Sequence, residues 1–176
     1  MRTCLAFWGL LTVMAALFSC SAAGPQQDSK ALAARTVYQS STCSPNIQEP
    51  CARWIQNRRE LAALFAAKRR SPDGRGLPAA LRDFSFADAG LLLVHMGRKS
   101  TSGYSLELLP QSVRRTGHTA VINLKWNAPA ADAMVAQVIT HPCILIRLPK
   151  NGFSGIRVLD SRGRIRVRAE RPAESN

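Results

Sequence analysis

The side chains best able to do chemistry are three histidines, five cysteines and the neighbouring carboxylates Asp83 and Asp88. A hydrolase needs a nucleophile beside a base, and common versions leave marks in sequence. These are a serine in a GxSxG elbow, an HExxH pair on a helix, or a glycine-rich phosphate loop. None occurs here. His95 lies inside the apolar run 91–96 and reads as a half-buried strand histidine. His118 opens a strand and His141 precedes Pro142, so both suit turns or edges. Asp83 fits a turn acceptor ahead of a strand better than half of an acid–base pair. The expectation is a non-catalytic protein with no cofactor. Metal is the competing idea at His141-Pro142-Cys143, but that step lacks the second pair of ligands a zinc site uses.

The cysteines offer redox chemistry instead. Cys43 and Cys51 bracket a segment with two prolines and an asparagine, turn-rich enough for its ends to meet. A Cys43–Cys51 disulfide is therefore expected in an oxidising compartment. A loop that short would contribute ~2–3 kcal/mol. Cys143, in the apolar run 143–148, is expected to be a buried free thiol.

A third chemistry is recognition. Between Gly97 and Gly103 lie Arg98, Lys99, Ser100, Thr101 and Ser102, a basic, donor-rich loop. Arg98, Lys99, Ser100, Thr101 and Gly103 are the candidate partner-binding residues. Gly97 and Gly103 would supply unusual backbone angles.

The elements that must position these groups can be read from periodicity. A short strand is expected within 31–39, and an extended piece at 52–55 carrying Trp54. Asn57-Arg58-Arg59-Glu60 has the form of a capping box. Leu61, Leu64, Phe65 and Lys68 follow at helical spacing, with 68–70 basic at the end where the dipole is negative. Arg58 and Arg59, at the wrong end, are expected to point to solvent. Beyond Asp83 the period becomes two. Tyr104, Leu106 and Leu108 share a face, as do Ala120, Ile122, Leu124 and Trp126. Further strands are expected at 134–140 and 143–148, separated at His141-Pro142. A last hairpin is expected from 156–159 and 165–167, with arginines on its open face. Tyr104, Trp126, Trp54, Gly97 and Pro142 are assigned structural roles. Together these predict an α+β domain: an antiparallel sheet of about six or seven strands, curled towards a barrel or sandwich, with one N-terminal helix.

The front of the chain sets its destination. Arg2 and an apolar stretch over 5–18 have the form of a secretory leader, too short to span a bilayer. Leu17-Phe18-Ser19-Cys20 fits the lipobox of bacterial lipoproteins. Residues 1–19 are thus expected to be a signal peptide, Cys20 the lipidated residue, and 20–33 an anchor and tether. The domain would cover 34–169, and a polar tail 170–176. Ordinary cleavage after Ala23 would instead release a soluble secreted or periplasmic protein. Ser21, where an Asp would favour the inner membrane, points to the outer membrane.

Without the leader, 23 Lys and Arg oppose 11 Asp and Glu, a charge of +12. In the cytosol this would suggest nucleic acid, but aromatic stacking residues are few and no recognition motif appears. No nucleic-acid partner is expected. The basic residues cluster at 58–75 and 157–171, where lipopolysaccharide or another anionic polymer would be a natural partner in an envelope.

One longer pattern carries identity. Asp83-Phe84-Ser85 precedes an apolar strand, then Gly97 and Thr101-Ser102-Gly103-Tyr104, then a second strand. This order over 83–160, with Gln137, Thr140 and Pro142 in register, resembles the C-terminal domain of the PrcB family. These are small secreted proteins named after the accessory subunit of a bacterial surface protease complex. The resemblance implies an envelope lipoprotein that binds or stabilises a protease or another envelope protein. Residues 100–104 also resemble the Thr-Gly-Tyr loop of chagasin-type inhibitors, which implies protease inhibition as a weaker alternative.

Overall fold

A computed structural model describes residues 29–66 and 76–172. The expected signal peptide, Cys20, the tether up to residue 28, Lys68–Arg70 and the last four residues of the tail lie outside them. Nine strands and two short helices follow in the order β1 (Ser29–Ala31), β2 (Arg35–Ser40), β3 (Pro50–Ile55), α1 (Arg58–Leu64), α2 (Ala79–Arg82), β4 (Ala89–Met96), β5 (Ser105–Thr116), β6 (Thr119–Asn127), β7 (Cys143–Pro149), β8 (Gly155–Leu159) and β9 (Ile165–Glu170). They form a five-stranded sheet, β1-β5-β6-β8-β9, and a four-stranded sheet, β2-β7-β4-β3. All pairings are antiparallel except β6 with β8.

The protein is mostly β, which corrects the expected α+β class with a single helix. The two sheets do not close into a barrel. Their facing sides make the larger core, with Leu92, Val94, Ile144 and Ile146 from one sheet against Leu106, Ile122, Leu124 and Val158 from the other. The far side of the four-stranded sheet is covered by Leu61, Phe65, Leu81 and Phe84, from the two short helices and the turns that follow them. Strand β4 is therefore buried on both faces along its whole length. That is why its sequence is an unbroken apolar run instead of an alternating one. At Gly90 the indole of Trp54 lies so close that an added Cβ would fall 2.2 Å from its ring.

Helix α1 starts with the predicted cap: Asn57 Oδ1 accepts from Glu60 N at 2.9 Å. Glu60 reaches one residue further back than a standard box, accepting from Gln56 N at 3.0 Å. Arg58 does not point freely into solvent. Its guanidinium donates to the carbonyls of Leu81, Arg82 and Phe84, at and just past the end of α2. Those carbonyls have no partner within so short a helix, so the arginine satisfies them. Asp83 stands at the C-terminal end of α2, and Ser85 Oγ takes the turn acceptor role, from Ala87 N.

Residues 134–140 are not a strand. Thr140 and His141 make isolated bridges to Lys99 and Thr42, and the stretch before them is irregular. The expected hairpin of the last two strands is present as β8–β9. Its turn is held by Asp160, whose carboxylate accepts from the backbone of Arg162 and Arg164 and from Arg164 Nε, all at 3.0 Å.

Candidate functional site

Two connections carry the chain between the sheets at one end of the molecule. The first, 97–104, leaves β4 for β5; the second, 128–142, leaves β6 for β7. They meet and brace each other. Lys99 N donates to Thr140 O at 2.8 Å, and Thr140 N returns to Lys99 O at 2.9 Å. Thr140 Oγ1 donates to Thr101 O at 2.9 Å. Ser102 closes the clamp: its N–H donates to Ala136 O at 3.0 Å, and its Oγ accepts from Ala136 N at 3.1 Å.

Both predicted glycines are needed where they stand. Gly97 has φ +77°, and a Cβ there would lie 2.6 Å from Gln48 O. Gly103 has φ +89° and sits against Pro129 and Val135. Left-handed backbone of this kind favours glycine. Pro142 also serves the frame, since its carbonyl accepts from Met96 N at 2.9 Å.

With the backbone so occupied, the side chains of Arg98 and Ser100 are left exposed, and those of Lys99 and Thr101 half-buried. The Lys99 ammonium lies 5.4 Å above the ring centroid of Tyr104. Beside them the second connection exposes Met134 completely and Val138 and Ile139 by about half. The predicted partner-binding residues Arg98, Lys99, Ser100, Thr101 and Gly103 thus do share one rim. Its apolar half was missed, because the apolar and β-branched residues Val135, Val138, Ile139 and Thr140 read as a strand. The Ala128-Pro129-Ala130-Ala131-Asp132 run just before them was the signal that strand pairing stops.

The disulfide differs from expectation. Cys43 is bonded to Cys143, with Cα atoms 5.9 Å apart, and Cys51 is a free thiol. The reason is local pairing. Cys43 N donates to His141 O at 3.0 Å and His141 N to Ser41 O at 2.8 Å, so residues 41–43 run beside the start of β7. Cys51 is fixed in β3, opposite His95, and His95 is in turn opposite Cys143. A whole strand therefore separates Cys51 from Cys143, about 10 Å. Burial pushes the Cys51 thiol pKa up, against the charge of Arg53.

His95 is completely buried. Its Nδ1 accepts from Gly97 N at 2.9 Å, which fixes the turn into the rim and places the ring proton on Nε2. Burial first, then the nearby His141, lower its pKa to about 4. His141 lies 6.0 Å away between ring centroids, and its Nδ1 is 3.3 Å from Ile47 O. Among the described residues, no group of three or more His, Cys, Asp or Glu side chains is arranged to hold a metal ion.

Trp54 is buried and meets Phe153 edge-on. Trp126 and Tyr104 pack against the core while remaining half-buried. Arg166 covers the Trp126 ring at 4.9 Å.

The fold and rim define a class: a two-sheet β domain in which two of the inter-sheet connections are tied into one exposed edge. Residues 91–149, from β4 through the rim to the end of β7, match the family model PrcB C-terminal. The match is narrower than the 83–160 span of the sequence resemblance and leaves out Asp83-Phe84-Ser85. No curated protein and no solved structure matches the chain.

Proposed function

We propose that this protein is a non-catalytic envelope lipoprotein, and that the rim formed by 97–104 and 128–142 holds or stabilises a protease or another envelope protein. The family of residues 91–149 ties the chain in general terms to accessory roles in protease complexes. One observation carries the contact surface: a heavily hydrogen-bonded rim that leaves its apolar and basic side chains outside. Met134, Val138 and Ile139 are exposed beside Arg98 and Lys99, although the backbone beneath them is braced. Exposed apolar groups gathered in one place mark interaction sites, and Met and Arg are enriched in interfaces. A rigid rim also loses little conformational entropy on binding.

Co-purification from detergent extracts tests this. A stoichiometric protein partner should survive a salt wash with wild type and be lost with the combined substitution Met134→Ser, Val138→Ser, Arg98→Ala and Lys99→Ala. The variant should melt as wild type does, since none of these side chains is in the core. A partner retained by the variant would move the interface off the rim. Adding purified protein to the captured protease separates support from inhibition, because only an inhibitor lowers turnover of a small peptide substrate.

A further inference from the structure

The outer face of the five-stranded sheet carries a row of unpaired arginines. Register places Arg114 of β5 opposite Val121 of β6, Val121 beside Arg157 of β8, and Arg157 opposite Arg168 of β9. Residues in register share a face, so the three arginines stand in one line across four strands, about 14 Å from end to end. All three are exposed. None makes an ion pair or a side-chain hydrogen bond among the described residues, whereas Arg164 and Arg166 both reach Asp160 and Lys125 reaches Glu107. Arg157 and Arg168 are directly opposite, a like-charge pairing that weakens a sheet. An arrangement that costs stability and gains nothing inside the fold has its counter-charge elsewhere.

The same row ends at Ala31 of β1, which pairs with Arg114. The chain therefore enters the fold at the edge of this face. Only eight residues, 21–28, separate Ser29 from Cys20. Fully extended they reach at most ~29 Å. We infer that this arginine face lies on the anionic, phosphate-bearing lipid surface of the bilayer to which Cys20 is attached. The inference rests on the lipoprotein reading for the tether, but the charge row can bind lipid without it. Paired with an acyl anchor, such a surface supplies the second signal that makes attachment stable. Each arginine near an anionic leaflet is worth ~5-fold in binding, so the row is worth ~100-fold.

The test uses the chain from Ser21 onward, exported behind a cleavable leader so that no acyl chain is present. It should sediment with phosphatidylglycerol–phosphatidylethanolamine vesicles at low salt and be released as salt rises. Arg114→Gln, Arg157→Gln and Arg168→Gln combined should lower binding ~100-fold while melting no earlier than wild type, because the like-charge pair is gone. Arg98→Gln with Lys99→Gln should lose far less. The inference is overturned if the triple variant binds as wild type, or if neutral phosphatidylcholine vesicles bind equally. Capture of soluble polyphosphate with no binding to vesicles also overturns it, and makes the face a site for a free polyanion. Palmitate labelling of the native chain tests the anchor separately, so the two readings can fail independently.

Discussion

His95 is held neutral by the fold, and this gives the protein a pH-sensitive stability. Its pKa falls to about 4, chiefly because the ring is buried, with the charges of His141 and Lys99 acting in the same direction and the backbone of Ser44 against them. In an unfolded chain the group would titrate near 6.5. Below that pH the unfolded state takes up a proton that the native state refuses. Stability is therefore complete above about pH 6.5 and is lost as pH falls towards 4, by ~3 kcal/mol in total. Denaturant titrations at intervals between pH 7 and 4 should show this loss in wild type. His95→Gln should be less stable at neutral pH but lack that part of the slope; an unchanged slope would show that other groups govern the acid limit. A second residue prediction concerns Gly90. Any side chain there meets Trp54, whose ring is fixed by Phe153 at 5.8 Å. Gly90→Ala should cost ~1–3 kcal/mol by overpacking, read as a lower denaturation midpoint, whereas the same change at Gly163, with nothing near its Cβ position, should show only backbone strain.

Among the elements, the Cys43–Cys143 bond ties the segment before β3 to the central sheet across 100 residues of sequence. Closing so long a loop constrains the unfolded chain far more than the short Cys43–Cys51 loop would, ~4.7 kcal/mol in the chain-entropy view. Cys143→Ser should thus cost ~2–5 kcal/mol, and Cys51→Ser much less. Non-reducing peptide mapping that joined Cys43 to Cys51 would overturn the assignment. The expected short loop shows where sequence reading stops: cysteine spacing measures chain length, while pairing depends on which strands become neighbours. The strands themselves were legible where one rule governed them. β5, β6 and the β8–β9 hairpin alternate because one face is buried, and the apolar run of β4 announced a strand, though not that helices would cover its second face. Residues 134–140 carried a similar β-branched, apolar content but had no partner strand, and they became half of the rim. Arg58 could not be placed because its carbonyl partners lie more than twenty residues away, on an element only four residues long. The rim was legible in its basic half, from glycines flanking a polar loop, and hidden in its apolar half.

At the scale of the whole molecule, the two proposed recognition surfaces occupy different places. The arginine row covers the outer face of one sheet, and the rim lies where the chain passes between sheets. The described chain enters at β1, whose Ala31 pairs with Arg114 at the edge of the arginine face, so on the lipoprotein reading the chemistry at Cys20 would set how the protein is presented. In a lipoprotein, the Cys20 thiol would form a thioether to diacylglycerol after cleavage behind Ser19, and the new amine would be acylated. Two or three chains hold a protein stably, where one alone is marginal. Metabolic labelling with an alkynyl palmitate should mark wild type and leave Cys20→Ala unmarked. Detergent partitioning should follow the label, with wild type in the detergent phase. Equal labelling of both proteins would place the modification elsewhere. No label on either, with a mature chain beginning at Gly24, would establish ordinary cleavage after Ala23 and a free protein. In that case the arginine face alone would govern membrane contact, and raised salt should strip the protein from membranes. A lipidated chain should stay in place at the same salt, because acyl burial is not screened.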